Sequence, residues 1–183
     1  MVLLALSTGG CKRLLGFSDA GEASPIKHYA DGPDGLRELW GDVLEAAKKD
    51  ERERVHDLMA TMILSDAELS ELFGAKAADL TPRYHTLMGT LVNRGAVEFV
   101  AQVYERKLDT VDVIAVDPTA PDAGAEDKAL APLKLPIKWY SVRIRRATDQ
   151  RGLRYDFFFY KNGRWVTGNQ LGKYVGGSAA PAR

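Results

Sequence analysis

The hydrophobic residues of this chain repeat at two different periods, and the switch comes once, between Tyr104 and Val111. Before it, apolar side chains recur at the i, i+3, i+4, i+7 spacing that stripes a helix; after it they alternate, as on a half-buried strand. Leu36, Leu39, Trp40, Val43, Leu44 and Ala47 form the first stripe, and Val55, Leu58, Met59, Met62 and Ile63 the second. Asp50 with Glu53 has capping-box spacing and predicts the start of that second helix. Ser65 with Glu68 is another such box, opening a short third helix that Gly74 ends. Thr81-Pro82 places a cap before a proline, predicting a further helix striped by Tyr84, Leu87, Met88, Leu91 and Val92. Gly95 punctuates, and Val97, Val100, Val103 and Tyr104 predict one more helix.

Val111, Val113 and Ala115 then begin a strand. The stretch Asp117 to Pro136, rich in Pro, Ala and Asp, reads as a long exposed loop. Tyr140, Val142 and Ile144 alternate with Ser141, Arg143 and Arg145, while Leu153, Tyr155, Phe157 and Phe159 alternate with Arg154 and Asp156. Asn162-Gly163 supplies the two positive-φ residues of a type I′ hairpin turn, leading into a last strand with Trp165 and Val166. Helices first and antiparallel strands second predict an α+β fold, its helical half packed on one face of a sheet of about four strands.

With 183 residues, one domain of ordinary size is expected, with room for a leader and a tether. Apolar residues at 45% and charged residues at 27% match a folded chain. Twenty-five basic residues cancel twenty-five acidic ones, so no net field recruits nucleic acid, and none is expected as a partner. No apolar run reaches the ~20 residues that span a bilayer as a helix. A single cysteine rules out an internal disulfide.

That cysteine ends the sequence Met1-Val-Leu-Leu-Ala-Leu-Ser-Thr-Gly-Gly-Cys11, an apolar run closing on small residues. It resembles the lipobox of bacterial lipoproteins, with Gly9 and Gly10 before the acceptor Cys11. Thr8 stands where that motif usually has leucine, and no Lys or Arg precedes the run. The resemblance implies cleavage before Cys11 and acylation of its thiol and new amine. Residues 1–10 are then a signal peptide, 11–34 a lipid-anchored tether, 35–176 a single α+β domain and 177–183 a tail. Lys12 and Arg13 beside the anchor could meet anionic headgroups, although such a pair is more often simply solvated.

The hairpin Tyr155-Asp-Phe-Phe-Phe-Tyr-Lys-Asn-Gly-Arg-Trp-Val166 resembles the closing hairpin of the nuclear-transport-factor-2-like fold, and the helices of Leu39 to Leu64 resemble its opening pair. The resemblance implies a cone-shaped arrangement. Its enzymatic members, isomerase-like and dehydratase-like, keep a pocket between sheet and helices.

Chemistry is sparse. There is no G-x-S-x-G elbow, no P-loop and no dinucleotide fingerprint. His28, His56 and His85 show no i, i+4 ligand spacing, so no metal or cofactor is expected. Tyr140, Arg143, Arg145 and Arg146 interleave aromatic and basic residues as single-strand binders do, but a solvated face balanced by Asp149 and Asp156 is the plainer account. Tyr155, Phe157, Phe159 and Trp165 form an aromatic face, a candidate pocket lining that core packing explains more simply. Asp156 alternates away from that face. The functional expectation is a non-enzymatic envelope lipoprotein, anchored in the membrane and facing the periplasm or exterior. It would present its domain to another envelope protein or to a small apolar ligand. The alternatives are an isomerase- or dehydratase-like enzyme and a cytoplasmic domain with no anchor.

Overall fold

A computed structural model describes residues 27–121, 123, 128 and 136–169. The signal peptide, Cys11, the tether as far as residue 26, most of the Asp117–Pro136 loop and the tail lie outside the described residues. The elements run α1 (Pro33–Lys48), α2 (Arg52–Ala60), α3 (Asp66–Phe73), a single 3₁₀ turn (Gly74–Lys76), α4 (Ala77–Arg106), then β1 (Thr110–Val116), β2 (Trp139–Arg145), β3 (Gly152–Lys161) and β4 (Arg164–Thr167). The four strands form one antiparallel sheet in sequence order, β1-β2-β3-β4. The fold is α+β, with the helical half packed on the sheet.

Helix boundaries depart from the sequence expectations in two places, each for a local reason. Asp50 does not cap α2. It is used instead to close α1, where it adopts φ 57°. The N–H of Glu51 donates to Ala46 O and that of Asp50 to Ala47 O, the paired bonds of a Schellman closure with an aspartate in the left-handed position. The cap position of α2 falls to Glu51, whose side chain makes no cap bond. The second departure is α4, one 30-residue helix that runs through both Pro82 and Gly95. Pro82 is the sixth residue of the helix, past the first-turn N–H groups that lack partners in any helix, so it forfeits one bond, to the Ala78 carbonyl, in the second turn. Gly95 costs about 1 kcal/mol of propensity, but Met88, Val92, Ala96, Phe99, Val100 and Val103 carry one buried stripe past it. The capping box at Ser65 and Glu68 is present in both directions, and Gly74 ends α3 with φ 54°.

Residues 27–32, read as tether from their composition, belong to the fold. Tyr29 is buried, and its hydroxyl donates to Asp42 at 2.8 Å. Its carbonyl accepts from Tyr160 and that of Ala30 from Trp165 Nε1, so two sheet aromatics clamp this segment's backbone. Lys27 reaches Asp42 and Glu38, both at 2.8 Å. A polar, irregular composition therefore conceals side chains with assigned places.

Strand β3 carries the most consequential irregularity. Tyr140 pairs with Phe158 and Val142 with Tyr155, so two steps along β2 face three along β3. Asp156 and Phe157 share the single partner Ser141, and Phe157 takes φ 68°. This is a β-bulge, and it reverses which residues share a face beyond it. Leu153, Tyr155, Phe158 and Tyr160 join the larger core under α1 and the C-terminal part of α4, with Tyr140 and Trp165. Phe157 and Phe159 join a second core with Trp139, Val166, Leu64, Leu69, Tyr84 and Met88. At this end the sheet is buried on both sides.

A polar cluster locks the closing hairpin to the α2–α3 connection. Glu68, 6% exposed, accepts from Ser65 N and Oγ and from Arg164 Nη2, and Asn162 Nδ2 reaches its second oxygen at 3.3 Å. Arg164 also donates to the carbonyls of Thr61 and Ile63. Tyr84 accepts from Leu64 N at 2.9 Å and donates to Thr167 O at 2.8 Å. Burial by itself raises the Glu68 carboxyl, but the bonds from Ser65 and the Arg164 charge outweigh it and hold the group below its ordinary range. A depressed pKa contributes stability that is present above the unfolded value, about 4.3, and lost as pH falls through the folded one. Glu68→Gln should therefore cost about 1–2 kcal/mol at pH 7, Arg164 being a third exposed and partly screened. In urea titrations the gap to wild type should narrow below about pH 4, where the wild-type carboxyl is protonated as well.

Candidate functional site

A cleft of about 310 Å³ lies between α4, α2 and β3, with Trp40 of α1 in its wall. Its volume lies at the small end of the roughly 300–1,000 Å³ of ligand sites. α4 contributes Met88, Leu91, Val92, Gly95, Glu98, Phe99 and Gln102, one face over four turns; Met59 and Met62 come from α2 and the turn after it. β3 supplies Arg154, Tyr155, Asp156 and Phe158, and Thr167 and Asn169 complete the rim.

The walls are aromatic and thioether. Trp40 lies 4.7 Å from the Tyr155 ring at a shallow tilt, and meets Phe99 and Phe158 edge-on at 6.0 and 5.6 Å. Met59, Met62 and Met88, the methionines among the described residues, all line this cleft. Methionine is flexible and polarisable, and it adapts a surface to ligands of uncertain shape. The indole N–H of Trp40 is buried and has no hydrogen-bond partner among the described residues. Gly95 is the other unusual wall residue. A Cβ built there meets nothing within 4 Å, so no neighbour demands glycine at that point of α4. Its effect is to leave the cleft open where any other residue would begin to fill it.

The polar groups of the cleft are partly committed. Glu98 pairs with Arg94 at 3.5 Å, and Asp156 Oδ1 accepts from Arg154 at 2.6 Å and from Ser141 at 2.5 Å. The Tyr155 hydroxyl makes no hydrogen bond among the described residues. Burial, with the Glu98 charge adding to it, pushes its pKa up to about 12.

Of the four aromatic residues singled out from the sequence, Tyr155 lines the cleft and the other three lie elsewhere. Phe157 and Phe159 are in the second core, where Phe159 meets Trp139 edge-on at 5.0 Å. Trp165 packs between Tyr140 and Tyr160 and donates to Ala30 O. Strict alternation would have kept Tyr155, Phe157 and Phe159 together; the bulge separates them. Asp156 stays on the side of Ser141 and Arg154 that alternation assigns it, and with Arg154 it is nevertheless among the residues of the cleft. Trp40 and the methionines were visible in the sequence only as members of apolar stripes.

Other candidates are accounted for by neighbours. Arg145 pairs with Asp112 and Arg146 with Asp149, while Tyr140 is buried in the larger core, so the basic–aromatic interleaving of β2 does not form one face. His85 contacts Asp66 at 2.6 Å, and His56 lies between Asp57 and Asn93. Among the described residues no cluster of three or more His, Cys, Asp or Glu could hold a metal ion. No helix among them is long and apolar enough to cross a membrane.

With this geometry in view, comparison with known proteins assigns no family: no protein-family model, curated protein or solved structure matches the chain.

If Gly95 is there to keep space rather than to fit a contact, Gly95→Ala should stabilise the domain by about 0.5–1 kcal/mol. Chemical denaturation measures this directly. A loss of stability would mean that the glycine meets a packing requirement after all.

Proposed function

We propose that this chain is an exported envelope lipoprotein, anchored through Cys11, whose domain binds a small, largely apolar molecule in the cleft between α2, α4 and β3. The cleft carries the proposal, because it joins apolar, adaptable walls to a helical glycine whose evident effect is to leave room. The anchor is supported by the lipobox-like Gly9-Gly10-Cys11. The resemblance to the nuclear-transport-factor-2-like fold remains part of this reading for the closing hairpin and the first helices. The described residues carry no strand before α4, where that fold interposes an early one. An isomerase- or dehydratase-like reaction would need a carboxylate free to move a proton, and Asp156 is engaged by Ser141 and Arg154.

Binding is tested by thermal shift with a panel of lipids, sterols and neutral aromatic compounds on wild type and Gly95→Leu. A ligand at a hundred times its dissociation constant adds about 2.7 kcal/mol to wild-type stability. Gly95→Leu should melt no lower than wild type yet respond to no compound, since its side chain occupies the cleft. Absence of any wild-type response, or an equal response in the variant, rejects the cleft.

The anchor is tested separately in a bacterial host. Labelled palmitate should enter the wild type and not Cys11→Ser, which should leave the membrane fraction. With two or more acyl chains, each buried methylene contributing about 0.8 kcal/mol, wild-type protein should resist salt extraction.

A further inference from the structure

Resting on the cleft reading above, we infer that its ligand is a neutral molecule of one or two fused rings bearing a single oxygen, which the hydroxyl of Tyr155 recognises. Three observations converge on this class. Charge is the first. Glu98 is opposed by Arg94 and Asp156 by Arg154, so an ionic ligand would bring a charge into an apolar cleft whose own charges already have partners. Shape is the second. About 310 Å³ walled by Trp40, Phe99, Phe158 and three methionine thioethers suits a flat ring, which gains edge and sulfur contacts on every side. The third is the hydroxyl itself. Tyr155 packs against Trp40 and Phe99, its ring held in place, while its O–H has no partner among the described residues. That hydroxyl is open to solvent at the cleft, Trp40 Nε1 being the one buried side-chain polar atom without a partner among the described residues, so a ligand oxygen would take the place of water as its acceptor. With a pKa near 12, the phenol stays protonated and can donate at any physiological pH.

Naphthalene, 1-naphthol and 1-naphthoate share a ring system and differ in the group offered to Tyr155. Titration calorimetry with wild type, Tyr155→Phe and Gly95→Leu separates the possibilities. Wild type should bind 1-naphthol about five- to tenfold more tightly than naphthalene, the effect of one neutral hydrogen bond, and 1-naphthoate more weakly than either. Tyr155→Phe should bring 1-naphthol to the level of naphthalene and leave naphthalene unchanged. Gly95→Leu should bind none of them. Equal affinity for naphthol and naphthalene in wild type, or a preference that survives Tyr155→Phe, overturns the role of Tyr155 while the cleft stands. Tightest binding of naphthoate overturns the neutral class in the same way. If none of the three binds wild type, or Gly95→Leu binds as well as wild type, the cleft reading fails and this inference with it.

Discussion

One extra residue in β3 sets the internal arrangement of this domain. Asp156 and Phe157 oppose Ser141 together, and Phe157 takes a left-handed backbone that costs a non-glycine residue on the order of 1–3 kcal/mol. The surroundings hold it there. Its carbonyl accepts from Gly168 N at 2.7 Å and its ring is buried in the second core. Because side chains alternate with a period of two, the insertion sends Phe158 and Tyr160 to one side and Phe157 and Phe159 to the other. A run of consecutive aromatics thereby serves two cores.

Helix α4 is the second determinant, because its 30 residues reach both cores. Tyr84 and Met88 pack in the smaller one, and Val92, Ala96, Phe99, Val100 and Val103 in the larger. The cleft opens along the middle of this helix, at the junction between the two. Flexible methionines and a side-chain-free Gly95 line the gap there.

Rigidity on either side of the cleft comes from polar ties between distant parts of the chain. Arg164, Glu68 and Tyr84 fasten β4 and the hairpin to the α2–α3 connection, and the carbonyls of Tyr29 and Ala30 accept from Tyr160 and Trp165. Buried groups satisfied in this way specify one arrangement, since a slip would strand several of them at once. The cleft therefore lies between elements that are held independently of any occupant. On the proposed reading such a site is largely preformed, which lowers the ordering cost of binding.

Local patterns determined a good part of this fold. The change of period separated helices from strands, Ser65 with Glu68 started α3 where expected, and Asn162-Gly163 turned the hairpin with φ 51° and 79°. These features depend on a few adjacent residues, whose own stereochemistry decides them. The N-terminal run ending at Cys11 lies outside the described residues. What tertiary structure alone decided are the choices between near-equal local options. Asp50 could cap one helix or close another, and the closure of α1 took it. Pro82 and Gly95 could end helices, and burial of the α4 stripe carried the helix past both. Residues 27–32 looked like linker until Tyr160 and Trp165 bound their backbone. The cleft lay furthest from the sequence, because its position depends on the bulge. A bulge is a long-range register shift between β2 and β3, and nothing in the alternation of either strand alone records which of three consecutive phenylalanines will be the extra residue.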